Sequence, residues 1–120
     1  MSEQRTGPET RTGDVMSAGQ FQEELRRIAR LNQRPAVENP LADAVKKIRD
    51  NPAFAQSRLL TRILTAITYD RGEFRRAEAS ALDSATLGLV IALMNAAGAG
   101  TTARAEWVNA VTACDSAAAA

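Results

Sequence analysis

The chain has 120 residues, of which 45% are hydrophobic, 4% aromatic and 24% charged, and its 15 basic and 14 acidic residues leave a net charge of +1. This predicts one compact domain, which is too short for a second core and too apolar to be disordered throughout. The absence of histidine removes the commonest general base, the commonest metal ligand and any Ser-His or Cys-His nucleophile pair. We therefore expect no enzyme activity, no metal and no cofactor.

Two segments of the sequence bear on where in the cell the protein is located. Residues 1–20 lack the apolar core of a secretory signal. Residues 84–103 carry no charge, but only 87–94 are strongly apolar, which is too short for a membrane span. The single cysteine, Cys114, allows no disulfide within the chain and suits a reducing compartment. We expect a cytoplasmic protein that does not enter a membrane.

The composition divides the chain into three parts. Residues 1–15 combine glycine, proline and scattered charges with almost no apolar side chains, which predicts a disordered tail that is dispensable for folding. Residues 16–116 are predicted to form a helical domain, and the alanines at 117–120 a frayed end. The first helix has Phe21, Leu25 and Ile28 at helical spacing, and the pair Arg34-Pro35 is predicted to end it.

Two Asn-Pro pairs each resemble a helix start, with Asn as the cap and Pro at the first helical position. Asn39-Pro40 is predicted to open a short helix, and Asn51-Pro52 a longer one that Gly72 ends. The apolar stripe of the short helix comprises Leu41, Ala44, Val45 and Ile48. That of the longer helix comprises Phe54, Leu59, Leu60, Ile63, Leu64 and Ile67.

Residues 74–97 fit one helix or two, and we favour two because Asp83-Ser84 can cap a new start. The large apolar residues of 87–94 point in all directions, so this segment is predicted to be the central helix of the core. After a stop at 98–100, Thr101 or Thr102 is predicted to cap a last helix with Trp107 on its apolar side. With no alternating strand pattern, the predicted class is an all-α domain of five or six short helices.

The basic residues are concentrated in one part of the sequence. Residues 26–62 have a net charge of +6, whereas the flanking parts have −3 and −2. Such a segment is typical either of solvated helix faces or of a surface for phosphate or an acidic partner. The candidate contact residues are Arg26, Arg27, Arg30, Lys46, Lys47, Arg49, Arg58 and Arg62.

No motif in the chain specifies a chemical reaction. We therefore expect a small non-catalytic interaction or adaptor module that binds a protein partner or a second copy of itself. The alternative is an accessory nucleic-acid-binding protein that uses the basic segment 26–62. Trp107 fits either an interface anchor or a core residue.

Overall fold

The computed structural model describes residues 15–30 and 38–119, with side chains described as far as 117. The predicted mostly helical single domain is confirmed in these ranges, which contain six helices and two short strands. In chain order these are β1 (Val15–Ser17), α1 (Ala18–Ala29), α2 (Pro40–Asp50), α3 (Ala55–Tyr69), β2 (Glu73–Arg75), α4 (Arg76–Ala81), α5 (Ser84–Ala99) and α6 (Arg104–Ala119). The predicted tail, apart from Val15, lies outside the described residues, as do Arg34 and Pro35.

Helix α5 lies at the centre of the core, as its sequence predicts. It packs against α1, α2 and α3, and α6 also packs against α2 and α3. Its side chains from Thr86 to Ile91 are all buried, and Leu93 has no exposed surface. A helix without a polar face needs such cover, because each exposed apolar side chain loses about 1.5–3 kcal/mol of burial free energy.

The two strands correct the expectation of helices alone. β1 and β2 form an antiparallel pair in which Met16 lies opposite Phe74, and both side chains are buried. The Phe74 ring stacks on Phe21 of α1, with ring centroids 4.2 Å apart and planes 9° from parallel. Phe74 is therefore a strand residue, not the start of a helix. This small sheet fixes the entry into α1, where Ser17 and Gln20 form a capping box.

The two Asn-Pro pairs have different structures. Asn39 caps α2 as predicted, and its side chain accepts a hydrogen bond from the N–H of Ala42. The prediction for Asn51 is wrong, because this residue ends α2: its N–H donates to the carbonyl of Lys47. Helix α3 begins only at Ala55, and Phe54, which was expected on its apolar face, is 63% exposed.

Three other helix ends also differ from the prediction. α1 ends at Ala29, before Arg34. α3 ends at Tyr69, and Asp70, rather than Gly72, takes the left-handed cap conformation with φ 54°. α6 begins at Arg104, with the carbonyl of Ala103 accepting the first helical N–H, so neither Thr101 nor Thr102 is its cap. The predicted start of a new helix at Asp83 is confirmed, because the Asp83 carboxylate accepts a hydrogen bond from the backbone N–H of Thr86.

No helix among the described residues is long and apolar enough to cross a membrane.

Candidate functional site

An open groove of about 730 Å³ lies between α2 and α6. Its position follows from the apolar stripe of α2, which is divided between two environments. Ala44 and Ile48 are buried in the core, whereas Leu41 and Val45 are only half-buried and line the groove. The apolar side chains along it are Leu41, Ala42, Val45, Ala110 and Ala113. The groove therefore offers an apolar floor that is open to solvent.

The rim of the groove carries charges of both signs. Lys46 and Asp50 form an ion pair one helical turn apart, with Nζ and Oδ2 at 2.7 Å, and this hydrogen bond raises the pKa of Lys46. Arg49 and Glu106 also line the rim, and neither forms an ion pair with a described residue. Two basic and two acidic groups leave the rim without net charge, so it has no general attraction for a polyanion.

The predicted contact residues lie around several different depressions. Lys46 and Arg49 line the groove, and Lys46 and Lys47 line a second depression on the other side of α2. Arg26 and Arg30 lie beside α5. Arg27 and Arg62 border two further small pockets. Arg58 is exposed on α3. The basic residues of segment 26–62 thus lie on several separate surfaces of the protein.

Several of these cations are engaged by neighbouring residues. Arg27 pairs with Glu24 at 2.6 Å, and this hydrogen bond lowers the pKa of Glu24. Arg76 lies at 3.4 Å from the same carboxylate. Arg26 donates to the side-chain oxygen of Asn95 at 3.0 Å. These contacts reduce the positive potential that the composition of segment 26–62 suggests.

Arg62 is the most firmly held of the set. Its guanidinium bonds the Glu78 carboxylate, donates to the carbonyl of Glu73 at 2.8 Å and lies 4.9 Å from the centre of the Phe74 ring. The hydrogen bond from Arg62 is the main reason why the pKa of Glu78 is lowered. Arg62 therefore connects α3 to β2 and α4.

The two singular side chains of α6 lie in the interior. Trp107 is 6% exposed and belongs to the core, which favours its packing role over an anchoring role. Cys114 has no exposed surface, and burial, together with the neighbouring Asp115, raises the pKa of its thiol to about 11. Among the described residues, no three His, Cys, Asp or Glu side chains are grouped to hold a metal ion.

The groove is the feature that sequence reasoning missed. The sequence places Leu41 and Val45, which are half-buried in the structure, on the apolar stripe of α2, and it does not single out Ala113. A signal was present in the composition of α6, where small residues such as Ala110 and Ala113 follow Trp107. Small side chains leave space beside a neighbouring helix, but the partner helix cannot be read from such a pattern alone.

Comparisons with models of protein families, with curated proteins and with solved structures gave no match for this chain.

Proposed function

We propose that the protein is a small non-catalytic helical module of the cytoplasm that binds a partner protein in the groove between α2 and α6. The observation that carries this proposal is the half-exposed apolar floor formed by Leu41 and Val45 within an open volume of about 730 Å³. Grooves of this kind bind partners through apolar anchors, and water released from the floor supplies the driving force.

The occupant that fits best is one amphipathic helix of the partner. The part of α2 that lines the groove runs from Leu41 to Asp50, which corresponds to about 13 Å, or two to three turns of a docked helix. The exposed Ala42 and half-buried Ala113 permit close approach of a helix backbone. Charges of both signs at the rim suit the mixed polar flanks of such a helix.

The rim also favours protein over nucleic acid. Binding to a phosphate backbone requires converging cations, and its affinity falls steeply with salt. Here Lys46 is paired with Asp50, and Arg49 is balanced by Glu106 along the same groove. The nucleic-acid hypothesis then depends on Arg30, Lys47 and Arg58, which lie just after α1, on α2 and on α3.

A peptide selection tests the proposal. A display library of helix-forming peptides about 15 residues long is selected on the full-length protein, and the affinity of the selected peptides is measured by fluorescence anisotropy. Ala42→Glu places a carboxylate in the groove without disturbing the core, because Ala42 is exposed and lies in the first turn of α2. We expect this variant to bind at least about tenfold more weakly, since the carboxylate must be desolvated.

The matched control is Ala105→Glu, which changes another exposed alanine in a first helical turn but outside the groove. It should bind like the unmodified protein. Equal affinity of the two variants would overturn the groove as the docking surface. A dimer in light scattering that Ala42→Glu dissociates would instead make the occupant a second copy. Tighter binding to duplex DNA than to any selected peptide would favour the nucleic-acid hypothesis.

A further inference from the structure

An exposed tyrosine at the end of α3 lies close to two arginines. Tyr69 is the last residue of this helix and is 36% exposed. The guanidinium carbon of Arg71 lies 5.1 Å from the centre of its ring, and that of Arg104, the first residue of α6, lies 5.3 Å from it. Two parts of the fold, the end of α3 with the turn after it and the start of α6, therefore bring these side chains together, and none of the three residues lines the groove.

The two arginines concentrate positive charge. Because each lies about 5 Å from the same ring, their charged carbons are no more than about 10 Å apart, a distance at which like charges at a surface still repel each other. Neither forms an ion pair with a carboxylate among the described residues. An anion bound between them would offset this repulsion.

The hydrogen-bonding capacity of the pair is largely unused within the described structure. Arg104 donates one N–H to the carbonyl of Thr68, which stabilises the carboxyl end of α3. A guanidinium has five donors in a planar fork, so this bond leaves most of them available. Among the described residues, Arg71 forms no hydrogen bond or ion pair and stacks on the Tyr69 ring, which leaves the donor edge of its guanidinium available.

We propose that Tyr69, Arg71 and Arg104 form a binding site for a phosphate monoester. Two guanidinium groups match the charge of about −1.5 to −2 that a monoester carries at neutral pH, and their forks match its oxygens. The site thus recognises one terminal phosphoryl group.

Tyr69 supplies a direct probe because it is the only tyrosine of the chain. Protein labelled with carbon-13 in the tyrosine ring should give one set of ring signals in nuclear magnetic resonance spectra. Phosphoserine, a phosphoserine peptide, a sugar phosphate and inorganic phosphate are titrated at constant ionic strength, with chloride as the reference anion. We expect a saturable shift with the phosphates, and tighter binding above the second phosphate pKa of about 6 than below it.

Arg71→Gln should weaken this binding by about tenfold, because one charged hydrogen-bonding group is lost. Arg104→Gln should give a similar loss of affinity. If the Arg104 variant is poorly folded, the affinity of Arg71→Gln alone tests the proposal. The control Arg58→Gln removes the same charge from an exposed arginine of α3 and should bind normally.

The parallel titrations with the different phosphate compounds identify the source of the ligand. A preference for the peptide makes it a phosphorylated partner protein, and a preference for the sugar phosphate makes it a small metabolite. Unsaturable shifts, equal shifts with chloride, or undiminished binding by Arg71→Gln would each overturn the proposal. Stronger binding of single-stranded DNA than of every monoester would also overturn it.

Discussion

Arg62 illustrates how a charged side chain is committed to the fold. Its contacts with Glu78, Glu73 and Phe74 connect three elements, so a ligand at this position would have to displace hydrogen bonds that already exist. Arg58, one turn earlier, is exposed and forms no ion pair with a described residue. From the sequence alone the two arginines look equivalent, because it does not reveal that β2 and Glu78 lie beside Arg62 in the fold.

The Glu78 carboxylate makes stability depend on pH. Its pKa is lowered in the folded state, chiefly by the hydrogen bond from Arg62, so its contribution to stability is present above the ordinary pKa of 4.5 and is lost as the pH falls through the folded value. The thermal midpoint of Glu78→Gln should therefore lie below that of the unmodified protein at about pH 7, and the gap should narrow below about pH 4.

Melting curves at several pH values measure this gap. Glu23→Gln is the matched control, because it removes an exposed glutamate that forms no ion pair with a described residue. Its midpoint should follow that of the unmodified protein. A gap for Glu78→Gln that stays constant down to low pH would mean that its ionised form contributes nothing to stability.

Cys114 should be inert in the folded protein. Burial holds its pKa at about 11, so only about 0.1% of the thiol is ionised at pH 8, and the side chain has no exposed surface. Labelling with a chromogenic disulfide reagent should be slow in buffer and fast in denaturant. Cys114→Ala combined with Ser116→Cys, which moves the thiol to an exposed position, should react rapidly in both. Fast labelling of native Cys114 would contradict its place in the core.

At the scale of elements, the sequence specifies a helix more reliably than its ends. The central helix follows from its composition, because 87–94 contains no polar face. The two Asn-Pro pairs show the limit of local signals. Asn39 is free to cap α2, whereas Asn51 directly follows the last turn of α2 and is used to end it. The carbonyl of Asn51 then accepts from the N–H of Phe54, and this turn delays the start of α3.

The sheet could not be predicted from local patterns. Each strand has three residues, too few to show an alternation that differs from chance. The pairing of Met16 with Phe74 joins parts of the chain that are far apart in sequence. The Phe74 ring of β2 stacks on Phe21 of α1, and this contact holds β2 beside the helix that directly follows β1.

The central helix is tested by two substitutions with different expected costs. Leu93→Asp buries a carboxylate where the side chain is fully enclosed, which costs several kcal/mol of a total stability of about 5–15 kcal/mol. Ile91 is also buried but borders a depression shared with Arg26 and Arg30, so an Asp at this position has cations nearby. We expect Leu93→Asp to be largely unfolded and Ile91→Asp to retain more structure.

Circular dichroism and urea unfolding measure both variants. Lys46→Gln is the surface control, and it should change stability by no more than about 0.5 kcal/mol, because Lys46 is exposed. A folded Leu93→Asp with an unchanged midpoint would require another helix to occupy the centre.

At the scale of the whole molecule, the groove depends on how α2 and α6 cross. The sequence predicts an apolar stripe on each helix, and the two helices do pack against each other. The sequence does not reveal the crossing angle and the distance between the two helices. These leave Leu41 and Val45 half-exposed, while Ala44 and Ile48 are enclosed. The residues of the candidate site could thus be listed as apolar from the sequence, but their openness to a partner required the structure.

Chemical-shift mapping tests most directly the claim that this groove is the docking surface. A peptide selected on the full-length protein is titrated into nitrogen-15-labelled protein, and the perturbed backbone amides are placed on the fold. We expect the largest shifts at Ala42, Val45, Asn109 and Ala113, which line the groove, while Ser80 and Gly98 stay unperturbed. Shifts centred on α1 and α4, with those four amides unchanged, would contradict the claim.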